Sequence, residues 1–141
     1  MRLAGLDLGE RRTGVAVSDE LGLFAHPRPA IVAASDEALV AAVVGLAVRE
    51  SLTALVVGVP LGLSGADTAQ TARARALGAK IRAATGLRVI PWDERLSTAQ
   101  AARAAPGRKA RASGALDSAA AAVILQTVLD AVRQGVITLD A

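Results

Sequence analysis

Short runs of apolar and alternating residues in the first quarter of the chain predict strands. The apolar run Arg2–Gly9 and the alternating run Gly14–Asp19 predict two strands joined by the polar turn Glu10–Thr13. Phe24–Val32 predicts a third strand. Its two prolines indicate an edge position, because proline lacks the N–H group that a central strand donates. We therefore expect the first three strands to be antiparallel.

Longer apolar segments follow and predict helices that alternate with strands. Ser35 is suited to cap a helix that runs to Glu50. A second helix is predicted over Ala66–Thr85, with Gly86 in the position that glycine favours after a helix. The other predicted elements are the strands Leu55–Val59 and Leu87–Trp92, a helix from Ser97 to Ala105, a basic loop Pro106–Gly114 and a last helix Leu116–Val132.

This order of elements predicts an α/β fold built on one mixed sheet. Antiparallel strands followed by two strand–helix crossovers favour five strands with helices on both faces. The 141 residues, of which 52% are hydrophobic, are enough for one core. Since no long linker or internal repeat divides the chain, residues 1–141 are expected to form a single domain.

The absence of cysteine and the presence of only one histidine, His26, restrict the chemistry. Disulfides, thiolate metal sites, a cysteine nucleophile and sites that need two imidazoles are excluded. Catalysis would have to use carboxylates, hydroxyls and cations. No uncharged apolar run reaches about 18 residues, and no secretory cleavage signal follows the N-terminus. We therefore expect a soluble, cytoplasmic protein without a membrane partner.

Three carboxylates lie where a carboxylate is unusual. Asp7 interrupts an apolar strand, Glu94 directly follows a predicted central strand, and Asp117 shares the apolar stripe of the last helix. Each has a simpler explanation: backbone N–H groups of the turn Glu10–Gly14 can satisfy Asp7, Glu94 fits an exposed ion pair, and Asp117 fits a residue that only favours the helix dipole.

Together these three residues, the carboxylate trio, can converge at one edge of the sheet. Three hard oxygen ligands of this kind suit Mg²⁺ or Mn²⁺. Such sites activate water and stabilise the leaving oxygen in phosphodiester hydrolysis. The trio therefore predicts a metal-dependent active site.

Positive charge is concentrated in the second half of the chain. The net charge is +3, yet Gln70–Arg111 contains ten lysines and arginines and only two carboxylates. Solvated helix faces explain this excess as well as a nucleic-acid partner does. The candidates for nucleic-acid contacts are Arg73, Arg95, Arg108, Lys109 and Arg111.

Four groups of residues resemble, in the same order, the motifs of the YqgF family. They are Gly5–Gly9 with Thr13–Asp19, Val57–Leu61 with Gly65, Asp93–Thr98, and Leu116–Ala120 with Ile124–Gln126. This bacterial family is similar to Holliday junction resolvases and comprises pre-16S rRNA nucleases. The resemblance spans nearly the whole chain. It implies a ribonuclease H-like fold and a metal-dependent endonuclease that processes the 5′ end of pre-16S rRNA.

The resemblance also implies roles for individual residues. The carboxylate trio matches the metal-binding acids of the family, and Lys109 and Arg111 match a basic loop that contacts substrate phosphates. Related resolvases carry a further acidic or histidine group near the last carboxylate, whereas here Ser118 and Ala121 follow Asp117. Whether one metal ion binds or two therefore stays open.

Other functions are compatible with parts of the sequence. A Holliday junction resolvase would cut branched DNA and, because the junction is two-fold symmetric, would act as a homodimer. A non-catalytic nucleic-acid-binding protein of ribosome assembly or transcription has no need of buried carboxylates near a polyanion. Asp7–Gly14 also resembles the first phosphate loop of actin-like, hexokinase and heat-shock chaperone ATPases, which need two such domains where 141 residues supply one.

Overall fold

A computed structural model describes residues 1–61, 65–96 and 118–138 of the chain. In these ranges the elements are β1 (Leu3–Leu8), β2 (Arg12–Ser18), β3 (Ala25–Val32), α1 (Asp36–Arg49), β4 (Ala54–Val59), α2 (Ala69–Thr85), β5 (Arg88–Asp93), a 3₁₀ turn (Glu94–Leu96) and α3 (Ala119–Arg133). The predicted helix Ser97–Ala105 and the predicted loop Pro106–Gly114 lie outside the described residues.

The strands form one mixed sheet in the order β3-β2-β1-β4-β5. β1 pairs antiparallel with β2, and β2 pairs antiparallel with β3. β4 pairs parallel with both β1 and β5. The predicted five-stranded sheet with three antiparallel strands at its start is confirmed, and so is the edge position of β3. No helix in the described ranges is long and apolar enough to cross a membrane.

Helices cover both faces of the sheet, as predicted. Successive side chains of a strand point to opposite faces, so each central strand contributes to two cores. The first core lies under α1 and α2 and contains Leu6, Val15, Leu39, Val43, Leu55, Val57, Leu77 and Ile81. The second lies under α3 and contains Leu3, Ala16, Val56, Ala121, Ile124, Leu125 and Val128. β1 is thus packed on both sides.

The starts of two elements differ from the prediction. α2 begins at Ala69 rather than Ala66, because Thr68 and Thr71 form a reciprocal capping box in which Thr68 Oγ1 accepts from Thr71 N at 3.2 Å. β2 begins at Arg12, so the turn before it is shorter than predicted. Ser35 caps α1 as expected, accepting from Ala38 N at 3.1 Å.

Gly5 of β1 lies in close contact with α3. A Cβ atom added at Gly5 would lie 2.9 Å from Leu125 Cβ and 3.0 Å from the Ala121 carbonyl oxygen. We expect Gly5→Ala to lower the free energy of unfolding by about 1–3 kcal/mol, since the helix would have to move away from the sheet.

Gly45→Ala in α1 is the matched control, because a Cβ there meets nothing within 4 Å. Alanine in a helix is more stable than glycine by about 0.5–1 kcal/mol, so the two substitutions should have opposite signs. Urea unfolding measures both. A Gly5→Ala protein as stable as the Gly45→Ala protein would contradict the close packing of α3 on β1.

Candidate active site

Asp7 lies near the carboxyl end of β1, between two glycines. Its register partner on β2 is Gly14, and the parallel register of β1 with β4 places Gly58 on its other side. Asp7 shares a face of the sheet with Gly5, which contacts α3. The two neighbouring strands therefore carry no side chain at the level of Asp7, and its half-buried carboxylate has lateral room.

Glu94 occupies the space above Gly58. A Cβ atom added at Gly58 would lie 2.8 Å from Glu94 Oε1 and 2.9 Å from Ile124 Cδ1 of α3. Glu94 directly follows β5 and is only 6% exposed, so its interpretation as an exposed ion pair is wrong. Asp7 and Glu94 thus lie on one face of the sheet, at the ends of the two strands that flank β4.

An exposed ion pair does form next to Glu94, but it joins the two neighbouring residues in the chain, Asp93 and Arg95. Asp93 is the last residue of β5, not the first after it as predicted. Arg95 donates from Nη2 to Asp93 Oδ2 at 2.7 Å and from Nε to both carboxylate oxygens at 3.1 Å. These side-chain hydrogen bonds, opposed in part by desolvation, hold the pKa of Asp93 below its ordinary value and raise the pKa of Arg95.

Ser118 anchors the start of α3 on β2. Its hydroxyl accepts from Val15 N at 3.1 Å and donates to the Arg28 carbonyl oxygen. The pairing of β2 with β3 shifts register between Thr13 and Val15, and Ser118 bonds to the backbone at this irregularity. The helix consequently begins beside Gly14, the strand partner of Asp7.

Several residues singled out in the sequence lie outside the described ranges: Arg108, Lys109, Arg111 and Asp117. Within those ranges no group of three or more histidine, aspartate or glutamate side chains is close enough to hold a metal ion. The structure therefore places two members of the carboxylate trio on one face of the sheet, at the ends of β1 and β5, and the third lies outside the described residues. His26 is exposed on the edge strand β3.

The two described arginines among the candidates for nucleic-acid contacts have carboxylate partners. Arg95 pairs with Asp93, as above. Arg73 of α2 donates from Nη1 to the Gly9 carbonyl oxygen at 2.7 Å and from Nη2 to Asp36 Oδ1 at 3.3 Å. Arg73 thereby connects α2 to the end of β1 and to α1.

Gly58 is the site residue to which the sequence analysis gave no role. It interrupts a strand of which every residue is buried, and a glycine in such a strand often marks a close approach by another part of the chain. That signal was available in the sequence. The identity of the approaching group, Glu94, was not, because the two residues are far apart along the chain.

A five-stranded mixed sheet in the order β3-β2-β1-β4-β5, with antiparallel first strands and helices on both faces, has the ribonuclease H-like arrangement. Residues 1–131 match the model of the family described as "RuvX: Holliday junction resolvase". The chain belongs to this family, which is the YqgF family that its motifs resemble. Family membership makes it an enzyme of the nuclease class.

Curated relatives align over most of the chain. Proteins named "Putative pre-16S rRNA nuclease" are 40% identical in Mesorhizobium japonicum, over 91% of this chain and 79% of the relative. The corresponding protein of Symbiobacterium thermophilum is 41% identical over 93% of both chains. That of Syntrophus aciditrophicus is 38% identical over 100% of this chain and 96% of the relative.

Solved structures support the expected fold. Thermus thermophilus RuvC is 18% identical, with a TM-score of 0.63 over 96% of this chain and 97% of RuvC. RuvC in complex with a Holliday junction substrate gives a TM-score of 0.62 at 19% identity, over 96% of both chains. The predicted ribonuclease H-like fold is confirmed.

The contact between Gly58 and Glu94 provides a test of the site. Gly58→Ala should displace the Glu94 carboxylate and reduce nucleic-acid cleavage by about 10- to 100-fold, since misplacing a catalytic group by about 1 Å can cost that much. Gly78→Ala in α2 is the control, because its Cβ would lie 3.6 Å from Val89 Cγ1, an ordinary contact. Cleavage rates measured beside urea unfolding separate displacement from loss of fold. Full activity in Gly58→Ala would exclude Glu94 from the site.

Proposed function

We propose that the protein is a metal-dependent endonuclease that hydrolyses phosphodiester bonds during 5′-end processing of pre-16S rRNA. The observation that carries the proposal is the placement of Asp7 and Glu94 on one face of the sheet. Gly58, on the strand between them, has no side chain and so leaves room for the Glu94 carboxylate. Relatives about 40% identical bear the name of a pre-16S rRNA nuclease, which favours this substrate. Ribosome assembly is a cytoplasmic process, which fits the location expected from the sequence.

We assign Asp7, Glu94 and Asp117 as catalytic residues and as ligands of Mg²⁺ or Mn²⁺. Carboxylate oxygens are the donors that these hard cations prefer, and Glu94 in the space above Gly58 fits such a site. Asp117 is included because the next residue in the chain, Ser118, accepts a hydrogen bond from Val15 N. Val15 follows Gly14, which is the strand partner of Asp7. The metal, when bound, would activate water and stabilise the leaving oxygen.

The residues of the chain position and shield the reacting groups. Asp7 is held by a strand that pairs on both sides, so its carboxylate needs little reorganisation during the reaction. Glu94 is only 6% exposed, and in such a buried position electrostatic interactions are stronger than in bulk solvent. Together the two carboxylates would hold the cation, which would supply an activated water for attack on the phosphate.

The basic residues are proposed to hold the RNA backbone. Arg108, Lys109 and Arg111 precede the last carboxylate and bind substrate phosphates. The side chains of Arg73 and Arg95 are 33% and 40% exposed. A guanidinium has five N–H donors, so each arginine can bind its aspartate and still donate to a phosphate of the RNA backbone. We infer that residues 1–141 act as one domain, which the single sheet and the family match over residues 1–131 support.

Holliday junction resolution is the second candidate function. The description of the family favours it. A resolvase that cuts two strands of a symmetric junction would act as a homodimer. Light scattering that finds a monomer, together with cleavage of a single-stranded substrate, would favour RNA processing instead.

A cleavage assay tests the proposal directly. With Mg²⁺ or Mn²⁺ the protein should cut a pre-16S rRNA fragment faster than a four-way DNA junction, and excess EDTA should abolish cutting. Asp7→Asn, Glu94→Gln and Asp117→Asn should each reduce the rate by more than about 100-fold, since loss of even an outer-shell partner of a metal ligand costs about 10- to 100-fold.

Asp130→Asn is the matched control, because Asp130 lies in α3 and pairs with Arg133 at the surface. It should cut at the wild-type rate. Faster cutting of the junction than of the rRNA fragment would replace the first candidate with the second. Cutting that persists in EDTA would reject the metal-dependent mechanism altogether.

Metal-free stability gives an independent test of Asp7. Carboxylates that face one another without a cation repel, so Asp7→Asn should leave the metal-free protein as stable as the wild type or more stable. Added Mg²⁺ or Mn²⁺ should raise the Tm of the wild type by mass action, and that of Asp7→Asn less. Thermal melts in EDTA and in metal measure both effects. A strongly destabilised metal-free Asp7→Asn would instead make Asp7 a structural acceptor for the turn Glu10–Gly14.

A further inference from the structure

The indole nitrogen of Trp92 is a buried hydrogen-bond donor without an acceptor. In the part of the chain that the structure describes, Trp92 Nε1 is the one buried side-chain nitrogen or oxygen atom with no hydrogen-bond partner. Buried indole N–H groups usually have a partner, because burying a donor without a hydrogen bond disfavours folding. A phenylalanine could pack against the core without this penalty, so packing alone does not explain the tryptophan.

Trp92 belongs to the face of the sheet that carries the candidate active site. It lies in β5 and packs, like Ile90 two positions before it, against the core under α3. Val89 of the same strand packs against the other core. Because side chains alternate along a strand, the indole lies on the same face of the sheet as Asp7 and Glu94.

Asp7, Gly58 and Trp92 lie at one level of the sheet on three neighbouring strands. Trp92 is the register partner of Gly58, and the parallel register of β1 with β4 places Asp7 on the other side of Gly58. Neighbouring strands are about 4.8 Å apart. Since glycine has no side chain, this row leaves a space over β4 between the aspartate and the indole.

The Glu94 carboxylate occupies this space. Its Oε1 atom lies 2.8 Å from the position that a Cβ atom would take at Gly58, so it has the strand of Asp7 on one side and the strand of Trp92 on the other. A carboxylate has two oxygens with about four acceptor positions. One oxygen can therefore bind a cation while the other accepts a hydrogen bond, as is usual for carboxylates that ligate metals.

We propose that Trp92 is a positioning residue of the metal site, whose indole N–H donates to the Glu94 carboxylate once a cation is bound. In the metal-free protein Trp92 Nε1 makes no hydrogen bond. When one oxygen of Glu94 binds a cation shared with Asp7, the carboxylate turns and presents its other oxygen to the indole. The unpaired donor then has a charged acceptor, which holds Glu94 in its ligating orientation. This inference rests on the proposed function, because it requires a cation at Asp7 and Glu94.

The chain has a single tryptophan, so the contact can be measured without interference from other indoles. An NMR spectrum of the isotope-labelled protein contains one indole N–H signal. A hydrogen bond to a carboxylate moves the indole proton downfield, so saturation with Mg²⁺ should move this signal downfield. Asp130→Asn, which alters a surface pair with Arg133, should show the same shift. A signal that stays in place while calorimetry shows that Mg²⁺ binds overturns the inference.

Removal of the N–H group tests its effect on metal binding. Trp92→Phe should lower the affinity for Mg²⁺, measured by calorimetry, about ten-fold, the effect of one hydrogen bond to a charged group. Benzothienylalanine in place of Trp92, in which sulfur replaces the N–H group and the ring keeps its shape, should lower it equally. The metal-free Tm of this analogue should equal or exceed that of the wild type, since a buried unpaired donor is removed. Ile90→Val, which alters packing in the same strand and core, is the matched control and should stay within about two-fold of the wild-type affinity.

The outcomes separate this inference from the proposed function. Equal Mg²⁺ affinity in the wild type, in Trp92→Phe and in the analogue overturns the inference, makes the indole a packing residue and leaves the metal-dependent nuclease intact. A wild type that binds neither Mg²⁺ nor Mn²⁺ overturns both. Mg²⁺ binding that depends on the indole N–H, in a protein that cuts no RNA, retains Trp92 as a positioning residue and rejects the proposed function.

Discussion

The packing of β1 on both faces constrains where this protein can carry a charged group. Leu3, Ala4 and Leu6 are fully buried between the helices, and an unpaired carboxylate among them would greatly reduce stability. At the carboxyl end of the strand the packing loosens, and Asp7 is half-buried between Gly14 and Gly58. The position of the candidate active site is thus a consequence of how the core is closed.

The same constraint explains why glycines and small side chains surround the site. α3 can approach β1 closely because Gly5 has no side chain, and Glu94 can lie over β4 because Gly58 has none. Ser118 holds the beginning of α3 with two hydrogen bonds to the backbone of β2 and β3. The helix that covers one core also fixes one wall of the candidate site, so changes in core packing are transmitted to the carboxylates.

Much of the fold could be predicted from the sequence, because hydrophobic periodicity and turn residues are local signals. Ser35 as a cap and the two prolines of β3 are local features, and both predictions were correct. The start of α2 was missed, since a threonine at the third helical position can cap as well as glutamate or glutamine does. The burial of Glu94 could not be read from its neighbours Asp93 and Arg95, because it depends on the distant Gly58.

Both edges of the sheet contain proline: Pro27 and Pro29 in β3, and Pro91 in β5. An edge strand exposes unpaired backbone groups that can recruit a strand from another molecule, and proline interrupts that row of donors. Two chains of this protein are therefore poorly suited to join their sheets edge to edge. The prolines protect a nuclease with a strongly apolar chain from aggregating through its strands, and they direct any self-association to its helices and loops.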